Sequence, residues 1–177
     1  ILAKEEYGKK INSAVFPGLQ GGPLMHIIAA KAVAFLEALQ PSFKVYQQNV
    51  VNNAKALGES LNKHGVNLVS GGTDTHLLLI DLRGTECNGK VLQERLDEVN
   101  ITTNKNTVPY EAEKATITSG LRIGTPALTT RGFGVAEMEL LGELISLAIF
   151  KYDESKERIL KEVADLCEKF PLYADLK

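Results

Sequence analysis

The stretch ITSGLRIGTPALTTRGF, residues 117–133, reads as the last strand of a sheet followed by the lead-in to two closing helices. It places Arg122 in a run of small and apolar residues that is typical of a buried strand. A guanidinium stays charged, and a buried charge is tolerated only where an anion meets it. The stretch therefore predicts a carboxylate or phosphate partner for Arg122. The local residues leave two alternatives open, a structural ion pair and an anionic ligand.

Strand-like and helix-like runs alternate upstream of this stretch. VNLVS (66–70), HLLLIDL (76–82) and ITTNK (101–105) predict three strands, and NGKVLQERLDEVN (88–100) predicts a helix capped by Asn88. The two closing helices carry apolar stripes, which are Val135, Met138, Leu141, Ile145 and Ala148 in the first and Ile159, Val163, Leu166 and Phe170 in the second. This order predicts an α/β sandwich with helices mostly on one face of the sheet.

The N-terminal part of the chain has a different character. SAVFPGLQGGP (13–23) predicts irregular structure, and LMHIIAAKAVAFLEAL (24–39) predicts a helix that is apolar on nearly every side and needs a cover from outside its own neighbourhood. A long amphipathic helix follows, with Ser42 as its expected N-cap and its end near Gly65. We therefore expect a first segment at 1–40, a connecting helix at 41–65 and an α/β domain at 66–177.

Composition excludes several classes of function. A net charge of −2 gives no footprint for nucleic acid, and no run approaches the roughly 18 apolar residues that a membrane span needs. Cys87 and Cys167 are expected to be free thiols. The three histidines are scattered, so we expect no metal site; they are His26, His64 and His76. A soluble, cytoplasmic protein fits best.

Two polar features could bind a ligand. Gly21 and Gly22, just before an expected helix, form either a simple turn or a phosphate-binding backbone. The amides of Asn104–Asn106 either recognise a polar heterocycle or merely end the third strand.

Three further features favour structural roles. SGGTDTH (70–76) predicts a plain loop between two strands rather than an anion-binding nest. His76 is expected to be a packed histidine. Arg131 is expected to pair with a carboxylate or to cap backbone carbonyls.

Four long motifs occur together in order: NSAVFPGLQGGPLMH (12–26), VSGGTDTHLLLIDL (69–82), NITTNKNTVP (100–109) and TSGLRIGTPALTTRGF (118–133). In sequence and spacing they resemble the C-terminal part of the serine hydroxymethyltransferase family. The resemblance implies fold type I, the aspartate-aminotransferase-like fold of pyridoxal-phosphate enzymes, with the end of the large domain followed by the small domain. It also implies a transferase of one-carbon and glycine metabolism, which interconverts serine plus tetrahydrofolate with glycine plus 5,10-methylenetetrahydrofolate.

The resemblance also implies roles for particular residues. Arg122 would bind the substrate carboxylate, and Gly21 and Gly22 would approach the phosphate of pyridoxal 5'-phosphate in the neighbouring subunit of a homodimer. Asn106 would contact the pteridine of tetrahydrofolate. The stretch Lys114, Ala115 and Thr116 would line the folate site, although relatives commonly have a Ser-Pro-Phe run there.

The Thr-Thr-Thr-His-Lys run that carries the cofactor-linked lysine in the family does not occur in these 177 residues. We therefore expect no catalytic residue in this chain, no transferase activity from it alone, and an origin as a fragment of a longer enzyme. Two alternatives remain open, a non-catalytic relative that binds a small carboxylate or folate, and a pure dimerisation module.

Overall fold

The computed structural model describes residues 1–174. The chain divides into two compact units, Ile1–Phe43 and Lys44–Lys177. The expected boundaries at 40 and 65 stay a prediction.

The first unit is a series of helical segments. A short 3-10 helix at Glu5–Tyr7 leads into α1 (Gly8–Ser13), a wide helical turn at Ala14–Leu19 and then α2 (Met25–Ala38). The expectation of irregular structure from 13 to 23 is thus wrong for most of its first half. The turn is interrupted at Phe16, whose φ of −139° is extended. Phe16 precedes Pro17, and the residue before a proline is pushed away from helical geometry.

Helix α2 has the predicted extent but no cover within the first unit. None of its residues is buried. Large apolar side chains stay exposed on several sides, among them Phe35 at 68%, Leu36 at 61% and Val33 at 58%. The expectation that another body covers this helix stays a prediction.

The second unit follows the predicted alternation of strands and helices. Its elements are α3 (Pro41–Lys63), which begins in the first unit, β1 (Asn67–Leu68), β2 (Leu77–Asp81), α4 (Gly89–Glu98), β3 (Asn104–Asn106), β4 (Gly120–Gly124), α5 (Pro126–Arg131), α6 (Val135–Phe150) and α7 (Tyr152–Lys169). Helix α3 starts at Pro41, so Ser42 lies inside the helix and is not its N-cap. Proline fits the first position of a helix because the N–H that it lacks has no intrahelical partner there.

The sheet is antiparallel with the strand order β1-β2-β4-β3. Alternate residues of the two central strands are buried on one face, namely Leu78, Ile80, Leu121 and Ile123. These residues join apolar side chains of α3, α4, α6 and α7 in one core. The expected α/β architecture with helices mostly on one sheet face is confirmed. We call the opposite face, where Leu77 and Arg122 are exposed and Val108 covers Gly120, the open face. Within the predicted stripe of α6, only Val135 departs, being 48% exposed.

Helix α4 begins as predicted, because the Asn88 side chain accepts a hydrogen bond from the Val91 N–H at 2.9 Å. The third strand, however, lies at Asn104–Asn106 rather than 101–105. Because β3 is an edge strand, the Lys105 N–H has no partner in the sheet. It donates a hydrogen bond to the Gln93 side-chain oxygen at 2.8 Å. Side-chain pairing of this kind is not visible as a periodicity in sequence.

Candidate functional site

Arg122 lies on the open face of the sheet and is exposed. The antiparallel register pairs it with Leu79 on one side and Asn104 on the other. The expectation that Arg122 is buried is therefore wrong. Successive residues of a strand point to opposite faces, so the apolar neighbours Leu121 and Ile123 face the core while Arg122 faces away from it.

The Arg122 guanidinium is largely uncommitted. Its Nη2 donates one hydrogen bond to Asn104 Oδ1 at 3.3 Å, and within residues 1–174 it makes no ion pair. A guanidinium has five N–H donors in a planar fork. Because water solvates the exposed group, no anion is required on grounds of burial. The remaining donors are nevertheless free to bind a carboxylate in a two-pronged arrangement.

Asn106 shares the open face with Arg122, because the register pairs Asn104 with Arg122 and Asn106 with Gly120. Its Nδ2 donates to the Thr107 carbonyl at 2.7 Å. The Asn106 Oδ1 makes no hydrogen bond with the described residues, so it can accept one from a ligand. The sheet therefore brings together two amides and one arginine, which spacing along the sequence alone did not establish.

An acidic residue on the same face is already neutralised. Asp81 accepts three hydrogen bonds from the Arg83 side chain at 2.6–3.1 Å. Hydrogen bonding by Arg83 is the main reason that the pKa of Asp81 is lowered. Asp81 therefore does not compete for the guanidinium of Arg122, which keeps the site cationic.

The loop between β3 and β4 carries the remaining predicted residues of the second unit. Lys114, Ala115 and Thr116 are exposed. They form a turn in which the Lys114 carbonyl accepts hydrogen bonds from the N–H groups of Ile117 at 2.8 Å and Thr118 at 3.0 Å. The structure thus places this stretch in the loop that continues from Asn106.

Glu111 holds that loop, and sequence analysis missed it. Its Oε1 accepts from Ser119 Oγ at 2.6 Å and from the Glu113 N–H at 3.0 Å, and its Oε2 accepts from the N–H groups of Ser119 at 2.8 Å and Val108 at 3.2 Å. These bonds, with that from the Ser119 hydroxyl the largest cause, lower the pKa of Glu111 to about 2. A single glutamate after Pro109 has no sequence signature that distinguishes it from a solvated one.

Gly21 and Gly22 lie in the first unit, in the loop before α2, and both are exposed. A side chain at either position would meet nothing within 4 Å. Neither N–H donates a hydrogen bond to the described residues, and α2 has no side-chain cap at Leu24. Bare amides beside an uncapped helix N-terminus fit the phosphate of a cofactor in their chemistry.

The other predicted features have structural roles or none. Arg131 caps the end of α7, since Nε donates to the Phe170 carbonyl at 2.9 Å and Nη2 to that of Cys167 at 3.2 Å, which confirms one of the two expected alternatives. His76 is exposed, so the expectation of a packed histidine is wrong. Segment 70–76 joins β1 to β2 as expected, but β1 ends at Leu68 and the connection begins with a short 3-10 turn at Val69–Gly71, where a strand was expected to continue to residue 70.

The remaining expectations concern the cysteines, metal-ligating side chains and helix lengths of the described residues. Both cysteines are free, and Cys87 is buried. Among residues 1–174, no group of histidine, cysteine and acidic side chains could hold a metal ion. No helix in this part of the chain is long and apolar enough to cross a membrane.

The fold and the open face define an α/β protein with a cationic, amide-flanked site suited to a small carboxylate. Residues 2–145 match the sequence model of the family described as serine hydroxymethyltransferase. The chain is 58% identical over 178 aligned positions to serine hydroxymethyltransferase 2 of Rhodospirillum rubrum, covering 97% of this chain and 41% of that protein. The chain therefore belongs to the serine hydroxymethyltransferase family, whose members are pyridoxal-phosphate enzymes of fold type I, and it spans less than half the length of this relative.

Proposed function

We propose that these residues are the C-terminal part of a serine hydroxymethyltransferase. The reaction would be the pyridoxal-phosphate-dependent interconversion of serine and tetrahydrofolate with glycine and 5,10-methylenetetrahydrofolate. Family membership supports the proposal. The single structural observation that carries it is Arg122, an exposed guanidinium with one weak side-chain partner on an otherwise open sheet face.

Arg122 would bind the α-carboxylate of serine or glycine. Two parallel N–H···O bonds fix both the position and the plane of a carboxylate, which a lysine ammonium cannot do. The role of Arg122 would be alignment of the substrate and not proton transfer. Asn104, which accepts from Nη2, would hold the guanidinium in the plane that this pairing needs.

Gly21 and Gly22 would hold the cofactor phosphate of the neighbouring subunit in a homodimer. Their backbone N–H groups are unbonded within the described residues, and no side chain shields them. When bound, pyridoxal phosphate would withdraw electrons from the carbon at which the substrate bond breaks. The contribution of this chain would be the phosphate contact and the placement of the substrate carboxylate.

The folate site would be formed by Asn106 and by the Lys114–Thr116 turn. The free Oδ1 of Asn106 can accept from a pteridine N–H. The turn offers exposed backbone and the Lys114 ammonium, which suits the negatively charged tail of a folate. A cytoplasmic location is proposed on family membership alone.

The proposed function is tested by two expressed polypeptides, the 177 residues and the product of the complete reading frame that contains them. We expect only the longer product to convert serine to glycine in the presence of tetrahydrofolate and to display the absorption band of bound pyridoxal phosphate. An inactive long product would refute the proposal. Serine cleavage by the 177 residues alone would refute the expectation that this chain lacks catalytic residues.

A further inference from the structure

The loop from Thr107 to Ser119 joins two adjacent strands, and its two ends are tied together by one carboxylate. The last strand pair is Asn106 with Gly120, so 13 residues separate the ends of the ladder. Glu111 lies near the start of this loop, and its contacts with Ser119 N–H and Oγ reach the residue just before β4. The carboxylate therefore closes the loop across its base.

The end of the loop has a second anchor that is independent of Glu111. The N–H groups of Gly89 and Lys90, at the start of α4, donate to the carbonyls of Thr118 at 2.9 Å and Ile117 at 3.0 Å. Gly89 has no room for a side chain, because a Cβ would lie 2.1 Å from Thr118 Oγ1. Residues 117–119 are therefore held even without Glu111.

The first half of the loop makes no hydrogen bond to α4 among the described residues. Within residues 1–174, two groups join residues 110–116 to residues outside that range by hydrogen bonds. They are the Glu111 carboxylate, which accepts from Val108 and Ser119, and the Lys114 carbonyl, which accepts from Ile117 and Thr118. The Lys114 bonds join the C-terminal side of the turn to Ile117 and Thr118, which α4 already holds, but they do not reach residues 107–113. Arg83 Nη1 donates to the Pro109 carbonyl at 3.3 Å, but within residues 1–174 only Glu111 connects the first half of the loop to its far end by hydrogen bonds.

We propose that Glu111 is a positioning residue for the folate site: by closing the β3–β4 loop, it holds residues 110–113, on the N-terminal side of the turn at 114–116, and thereby sets the affinity for tetrahydrofolate. The proposal rests on the proposed function for the identity of the ligand. Arg122 is placed independently by the ladders on both sides of β4, so carboxylate binding does not depend on Glu111. Loss of Glu111 therefore weakens folate binding and spares glycine binding.

Loop closure is tested first without any ligand, by trypsin cleavage after Lys114. In Glu111→Gln, an NH2 group replaces one carboxylate oxygen. An NH2 group cannot accept the hydrogen bonds that this oxygen accepts in wild type. Each cleavage rate is divided by the rate for a synthetic peptide of the same variant sequence, which cancels the direct effect of a nearby charge on trypsin. Glu113→Gln is the matched control, because it removes the same charge from the same loop and the Glu113 carboxylate has no partner among the described residues.

We expect normalised cleavage of Glu111→Gln to be about tenfold faster than that of wild type, and that of Glu113→Gln to stay within about twofold. Unchanged far-ultraviolet circular dichroism shows that the fold is retained. Ser119→Ala, which removes only the 2.6 Å contact, gives a smaller acceleration in the same direction. Wild-type cleavage rates in Glu111→Gln overturn the proposal.

The folate part is tested in the product of the complete reading frame, with separate titrations of tetrahydrofolate and glycine. Glu111→Gln is expected to raise the tetrahydrofolate Kd about tenfold and to leave the glycine Kd within about twofold, with Glu113→Gln like wild type in both. If wild type binds tetrahydrofolate and Glu111→Gln binds it equally well, the positioning role of Glu111 is refuted and the proposed function is not affected. If wild type binds no tetrahydrofolate, the proposed function falls and the folate role falls with it.

Discussion

Gly120 offers the sharpest test of how the sheet builds the site, because a methyl group has no room there. A Cβ would lie 2.6 Å from Val108 Cγ1, 2.8 Å from the Asn106 carbonyl oxygen and 2.9 Å from the Ile80 carbonyl oxygen. Two of these three obstacles are backbone atoms of the neighbouring strands. We therefore expect Gly120→Ala to lower the free energy of unfolding by about 3 kcal/mol, the upper end of the usual cost of overpacking.

Urea unfolding at 25 °C, followed by circular dichroism, measures this loss. Thermal unfolding should show a melting temperature about 10 °C lower. Gly72→Ala is the control, because nothing lies within 4 Å of a Cβ at Gly72 and its φ of 165° is extended.

A double-mutant cycle with Val108→Ala separates the obstacles. The smaller side chain removes only the 2.6 Å contact, so we expect a coupling energy below about 1 kcal/mol. If the free energy of unfolding of Gly120→Ala lies within about 0.5 kcal/mol of that of wild type, the strands can move apart at little cost and the reasoning is refuted.

Three further predictions concern single contacts. Asn88→Ala should cost about 1 kcal/mol in urea unfolding because α4 loses its N-cap, whereas Asn88→Asp should cost little. Arg131→Ala should cost about 2 kcal/mol, since two carbonyls at the end of α7 lose their donors; a melting temperature equal to that of wild type would contradict this. The pKa of Glu111 falls from 4.5 to about 2 on folding, so its contribution to stability is complete above about pH 4.5 and is lost as the pH falls toward 2. In urea unfolding at several pH values, the free energy of unfolding of Glu111→Gln should therefore fall less between pH 4.5 and 2 than that of wild type. Glu113→Gln should show the same fall as wild type.

Apolar periodicity was sufficient to predict most elements of the second unit. Apolar residues recur at helical spacing in α4 and α7 and alternate in β2, because those positions are the ones that are buried in the core. The edge strand β3 was misplaced because its position depends on pairing with β4 and on the Gln93 side chain, neither of which leaves a period in the sequence. Short α5 was not predicted, since six residues are too few for an apolar stripe.

The site was predicted in part, and one argument for it was wrong. Arg122 was identified from supposed burial, yet strand alternation places it on the open face. The same alternation brings Asn104 and Asn106 to that face, once the register is known. Glu111 could not be found, because its importance comes from four hydrogen bonds that converge through the folded loop and not from any motif.

The most direct test of the proposed function is the KM for serine in the product of the complete reading frame, with and without the Arg122 guanidinium. Arg122→Ala should raise this KM at least about 100-fold, because a paired and charged hydrogen-bonding group is lost. Arg122→Lys should reverse less than about a tenth of this rise in KM, since an ammonium keeps the charge but lacks the two parallel N–H donors of a guanidinium. Arg158→Ala, which removes a charge from the ion pair that joins α7 to Glu143 of α6, should leave the KM unchanged. A wild-type serine KM in Arg122→Ala would contradict the assignment of this residue as the carboxylate-binding group.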